Sequence, residues 1–145
     1  STKITSQAAW VRSIRKLMLV GLFFALTCDH WTSVSGESYL AVTLHAINAE
    51  FELISFTLCC YQHTGDSTGP GILAEVQAAW ELFGLSPEFC VGVVSDTAPV
   101  MGVFGRSITE AFSIPHFYCV DHVIDLTTVC GLIPNFYLFL IFDSN

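Results

Sequence analysis

Leu26-Thr27-Cys28-Asp29-His30-Trp31-Thr32-Ser33 decides the fold of this chain, together with a second string far downstream, Val94-Ser95-Asp96-Thr97-Ala98. In each, an apolar run stops at a lone aspartate. That is the pattern of a buried strand whose carboxyl end opens into a polar site, the place where open α/β sheets hold their ligands. The run before Asp96, Phe89-Cys90-Val91-Gly92-Val93-Val94-Ser95, is of strand length and almost uninterrupted. It has the composition of a strand covered on both faces in a parallel sheet. The run before Asp29 begins near Leu17, and its amino-terminal part fits a helix as well as a strand.

Between the two strings the chain alternates turn chemistry with regular pattern. Ser35-Gly36-Glu37 is a turn, Tyr39 to Ile47 is β-rich, and Asn48-Ala49-Glu50 leads into a second β-rich run, Phe51 to Cys59. Ile54, Phe56 and Leu58 fall on one face of that run and Ser55 and Thr57 on the other, as in an antiparallel strand with one buried side. His63 to Gly71 is a loop, after which Pro70 opens a helix to Phe83 with Ile72, Leu73, Val76, Ala79, Trp80 and Phe83 as its core stripe. Gly84 is placed to end it. Beyond Asp96, a helix is expected over Ala98 to Phe112 with Val100, Val103, Phe104, Ile108 and Ala111 inward. A short strand from His116 to Cys119 and a helix from about Asp121 to Cys130 come next.

The order β, β, β, α, β, α, β, α predicts an α/β fold. Three strands joined by short turns are antiparallel, and two strands reached by helical crossovers run parallel to the first. This mixed sheet resembles the ribonuclease H-like pattern, in which the fourth strand lies beside the first. Asp29 and Asp96 are then expected side by side, where their repulsion calls for divalent metal, Mg2+ or Mn2+, as in two-metal phosphoryl-transfer sites. The organisation read from the chain is a partly helical lead-in over residues 1–21, the core over 22–132 and an apolar tail over 133–145.

Composition narrows the function. With 145 residues, 52% hydrophobic and 12% charged, the chain fits one folded domain. A net charge of −8 with five Lys and Arg excludes a self-sufficient nucleic-acid binder, because phosphate contacts need cations. Of the six cysteines, five sit in or beside apolar, regular segments, which points to free thiols in a reducing compartment. Arg12, Arg15 and Lys16 ahead of Leu17 to Leu26 imitate a secretory signal, yet no small-residue cleavage site precedes Asp29 and the run is too short to cross a bilayer. No membrane partner is expected.

Several motifs, in order, resemble the hAT superfamily of transposases and their domesticated relatives with BED-type zinc fingers. They are Cys28-Asp29-His30-Trp31-Thr32-Ser33, Ser38-Tyr39-Leu40-x-Val42-Thr43-x-His45, His63-Thr64-Gly65, Ser95-Asp96-Thr97-Ala98-x-x-Met101 and Cys119-x-x-His122-x-x-x-Leu126. The resemblance covers about Leu22 to Leu132. It implies a transposase core whose first two metal-binding acids are Asp29 and Asp96, with Trp31, Cys119 and His122 as further motif residues and a nuclear location. The family's third acid is a later glutamate, beyond Asn145, so strand transfer by this segment alone is not expected, and DNA is a partner only with help from segments outside it. Thr97 and Val100 replace two amide side chains usual after the second acid. The alternative is a domesticated, non-catalytic interaction module with protein partners.

Two other constellations compete for the same residues. Cys60-x-x-His63 and Cys119-x-x-His122 together offer a zinc ligand set, although nothing in the sequence brings them together. Cys119 and His122 are too close along the chain, across a strand-to-helix junction, for a good nucleophile and base. Trp31 and Trp80 are expected in the core rather than as stacking platforms.

Overall fold

The computed structural model describes residues 11–16, 21–65 and 67–123. Its strands are β1 (Phe24–Thr32), β2 (Ser38–Ile47), β3 (Leu53–Gln62), β4 (Cys90–Ser95) and β5 (His116–Tyr118), with helices α1 (Gly69–Phe83) and α2 (Pro99–Phe112). The five strands form one sheet in the order β3-β2-β1-β4-β5. β1, β2 and β3 pair antiparallel, and β4 and β5 run parallel to β1. This is the ribonuclease H-like architecture. Both crossovers, through α1 and through α2, move in the same direction across the sheet, so the right-handed rule places both helices on one face.

That face is the core. Phe24, Leu26 and Cys28 of β1, Leu40, Val42 and Leu44 of β2 and Val93 of β4 are buried against Ile72, Val76, Trp80 and Phe83 of α1 and Met101, Phe104 and Ile108 of α2. Thr68 caps α1 by accepting the Gly71 N–H, Pro70 stands in the first turn, and Gly84 ends the helix at φ 67°. Gly69 is where the helices touch: a Cβ there would stand 2.6 Å from the Phe104 backbone nitrogen.

Several boundaries differ from the sequence reading for physical reasons. β1 starts at Phe24 and continues past Asp29 to Thr32, because β2 extends the ladder as far as Thr32↔Ser38 after β4 has ended. β3 carries a bulge opposite Val42/Thr43, which turns Cys59 as well as Leu58 toward the core. The inward stripe of α2 keeps Val100, Phe104 and Ile108 as expected and is completed by Met101, Gly102 and Gly105, while Val103 is 37% exposed and Ala111 lies at the surface. Val91 is 54% exposed, so among the described residues β4 is covered on one face only. Residues 11–16 are helical and insert Ile14, 1% exposed, into the core, while Arg15 donates to the Leu82 carbonyl at 3.0 Å. The lead-in thus contributes to the core, contrary to the sequence reading. The expected helix after β5 is seen over residues 120–123, and its remainder, with the apolar tail, lies outside the described residues. No described helix is long and apolar enough to cross a membrane.

Candidate active-site groove

β1 and β4 lie side by side and parallel, and their pairing ends at Cys28↔Ser95. The next residues are Asp29 and Asp96. Because side chains alternate along a strand, both acids leave the sheet at one level on the face opposite the helices. Both line one groove, and the Asp96 charge raises the Asp29 carboxyl above its ordinary value, second only to burial as a cause. Asp96 is also fixed by its own chain, since its Oδ1 accepts the Ala98 N–H at 2.8 Å just ahead of α2.

The third wall comes from β5 and the turn after it. The Cys119 N–H donates to the Ser95 carbonyl at 2.6 Å, and the Val123 N–H to the Cys119 carbonyl at 3.1 Å, which opens a helical turn beside the end of β4. Below it, His116 Nε2 and Ser95 Oγ share a hydrogen bond of 2.8 Å that ties β5 to the residue preceding Asp96. The result is a groove of about 570 Å3 lined by Asp29, His30, Trp31, Asp96, Cys119, Asp121 and His122. The five residues that the transposase resemblance implies, Asp29, Trp31, Asp96, Cys119 and His122, line this one groove, which also includes His30 and Asp121. His30 stands inside the quoted motif without a role assigned to it, Asp121 falls at an unspecified position between Cys119 and His122, and the strand order brings both in.

Trp31 is not in the core. It is 42% exposed and stacks on Tyr39, with ring centroids 5.5 Å apart and planes 15° from parallel. It lies two residues beyond Asp29 on the open face, past the end of β4, with the ring of Tyr39 on one side. Trp80, by contrast, is buried as expected.

Behind the groove, on the helix side, lies a second polar cluster. His30 meets His63 edge to face, the His63 side chain is fully enclosed, and its Nδ1 stands 2.9 Å from Glu75 Oε1. Glu75 Oε2 accepts from the Tyr61 hydroxyl at 2.8 Å. Burial, and then the proximity of His63, hold the His30 imidazole below its ordinary value. This arrangement separates the proposed zinc ligands. Cys60, opposite Ala41, lies on the open face, while His63 is buried on the helix side and Cys119 and His122 belong to the groove. Among the described residues no three His, Cys, Asp or Glu side chains form a metal cage by themselves. The five described cysteines are free, and burial pushes the Cys28, Cys59 and Cys90 thiols up, Cys59 and Cys90 to about 11.

No protein-family model matches the sequence, and no curated protein is significantly similar to it. Among solved structures the chain is similar to the catalytic core domain of the HTLV-2 integrase in complex with magnesium, in its trimeric and dimeric forms. The trimeric form is 13% identical with a TM-score of 0.41, and the match covers 79% of this chain and 71% of that one. The dimeric form is 14% identical with a TM-score of 0.37, over 83% and 76%. The fold is assigned from this chain's own strand order and pairing.

Proposed function

We propose that this chain is the ribonuclease H-like core of an hAT-type DNA transposase, with a groove built to take divalent metal and a nucleic-acid phosphate. One observation carries the reading: two carboxylates leave adjacent parallel strands at the same level into a groove whose lining includes, among the described residues, no Lys or Arg to neutralise them. The donors are hard oxygens, the ligand type of Mg2+ and Mn2+, and magnesium characteristically uses one or two carboxylates and completes its shell with water and substrate phosphate. Asp29 and Asp96 are the residues that would hold it. A divalent ion bound there offsets their repulsion and polarises a phosphoryl oxygen.

The remaining groove residues suit the same substrate. Trp31, backed by Tyr39, offers an exposed aromatic face beside the acids, and stacking a base on such a face contributes about 1–3 kcal/mol. DNA affinity must come mainly from elsewhere, given the net charge of −8. On the hAT reading, strand transfer needs a third acid and a DNA-reading finger in addition to Asp29 and Asp96, and the protein acts in the nucleus.

Calorimetric titration with Mg2+ tests the proposal. Wild-type protein binds, and Asp29→Asn or Asp96→Asn weakens binding about tenfold or more, since losing even an outer-shell partner of a metal costs that much. Equal binding by both variants and the wild type refutes it. A second reading, a non-catalytic interaction module, is favoured by the exposed Phe23, Ile47, Leu53 and Val91 around an apolar groove of about 440 Å3 at the other end of the sheet. It is supported if Mg2+ does not bind and a protein partner is lost on Leu53→Asp.

A further inference from the structure

Three ring nitrogens behind the acidic groove are enclosed and without a hydrogen-bond partner: His30 Nε2 and both nitrogens of His63. Packing alone does not account for imidazoles there, because each unpaired buried polar atom costs on the order of 1–3 kcal/mol that an apolar ring would not. Groups able to partner them stand next to them. His63 Nδ1 is 2.9 Å from Glu75 Oε1, an ion-pair contact that lies off the axis a hydrogen bond requires. The same carboxylate is held from the sheet by the Tyr61 hydroxyl at 2.8 Å. On its other side, His63 touches His30, ring centroids 5.3 Å apart and planes at 86°. His30 lines the groove beside Asp29 and Asp96. The chain leaves room for this cluster at Gly65, where a Cβ would come within 2.8 Å of Glu75 Oε1 and 3.4 Å of His63 Cε1. The string His63-Thr64-Gly65, otherwise without a role, supplies both the imidazole and the space.

We propose that Tyr61, Glu75, His63 and His30 form one hydrogen-bonded relay that fixes the tautomer of His30 and leaves its Nδ1 as the bare, accepting nitrogen on the groove side. The direction is set by the donor inventory. A carboxylate only accepts, so His63 gives Glu75 its Nδ1–H. A neutral imidazole has one N–H, so His63 Nε2 is then an acceptor; of the other two enclosed, unpartnered nitrogens among the described residues, Trp80 Nε1 belongs to a ring packed on Phe112, whereas His30 Nε2 belongs to the ring that touches His63, and it carries the proton. His63 and Glu75 are positioning residues acting through His30. The inference rests on the groove being a phosphoryl-transfer site: a bare imidazole nitrogen there orients a water or hydroxyl group by accepting its hydrogen bond.

The test is 15N NMR of the imidazole rings in the metal-free, DNA-free full chain, above the imidazole titration range. Wild-type His30 is expected as the Nε2–H form and His63 as the Nδ1–H form. Glu75→Ala moves the His30 ring signals to a tautomer mixture, and Glu75→Gln, whose amide oxygen still accepts, restores them. A wild-type His30 protonated on Nδ1, or a His30 signature untouched by Glu75→Ala, overturns the relay. Should Glu75→Ala not fold, the wild-type tautomer decides alone, with Tyr61→Phe at a 41% exposed position as the milder perturbation expected to shift the His63 ring. Because neither metal nor DNA is present, failure here is separate from failure of ion binding at Asp29 and Asp96.

Discussion

Replacing Gly105 by alanine reverses the usual effect of removing a helical glycine. In a helix interior that exchange favours folding by about 1 kcal/mol, because alanine has less backbone freedom to lose and a better propensity. In α2 the new methyl group would run into the His116 ring, with Cε1 at 2.6 Å and Nδ1 and Cγ nearer still. The ring must move, and overpacking of this kind costs roughly 1–3 kcal/mol. Moving it also breaks the 2.8 Å bond to Ser95 Oγ, worth about 1 kcal/mol net. The sum, less the propensity gain, is a net loss of roughly 1–3 kcal/mol, or several degrees in Tm for a chain of this length. Urea denaturation of Gly105→Ala, of His116→Ala and of the double variant gives the coupling directly: the double variant is more stable than the sum of the singles, because the methyl group then has room. A neutral or stabilising Gly105→Ala refutes the packing described for β5 against α2, and with it the anchoring of the residue before Asp96.

Three further outcomes rest on single groups. Burial and the Asp96 charge raise the Asp29 carboxyl, so the folded state holds that proton more tightly than the unfolded chain; its contribution favours folding in acid and is lost as pH rises through the raised value. Asp29→Asn is therefore more stable than wild type at neutral pH, with the difference vanishing below the carboxylate range, as a pH series of thermal melts reads directly. Thr68→Ala removes the acceptor of the Gly71 N–H and destabilises by about 1 kcal/mol in denaturant titration. In native-state thiol labelling followed by mass spectrometry, exposed Cys60 reacts before Cys28 and Cys90, whose burial disfavours the thiolate.

The sheet was legible because its signals are local. Two apolar runs ending in acids, a hairpin with alternating faces and a proline-opened, glycine-closed helix each arise from residue type, and their order left few topologies once crossover handedness was applied. The convergence of Asp29 and Asp96 came from that order. The features that the sequence did not disclose depend on contacts between elements. On α2, Phe104 and Ile108 are inward as the sequence suggests, but Gly102 and Gly105 join them in place of Val103 and Ala111, admitting Tyr118 and His116, and hydropathy credits a glycine with nothing to bury. Trp31 looks like a core residue by type, yet β4 stops short of it and leaves it exposed. His30 and Asp121 reach the groove through strand order, and the His63–Glu75 pair forms across a loop and a helix with no spacing rule to announce it.

Paramagnetic broadening by substoichiometric Mn2+ in 15N-labelled protein tests the metal groove most directly. Bound between the two carboxylates, the ion erases the amide signals of Cys28 to Trp31, Asp96 to Ala98 and the turn carrying Asp121 and His122 first, and Asp29→Asn or Asp96→Asn abolishes that pattern. Broadening spread evenly over the chain, or centred on acids elsewhere such as Glu50 and Glu52, contradicts it.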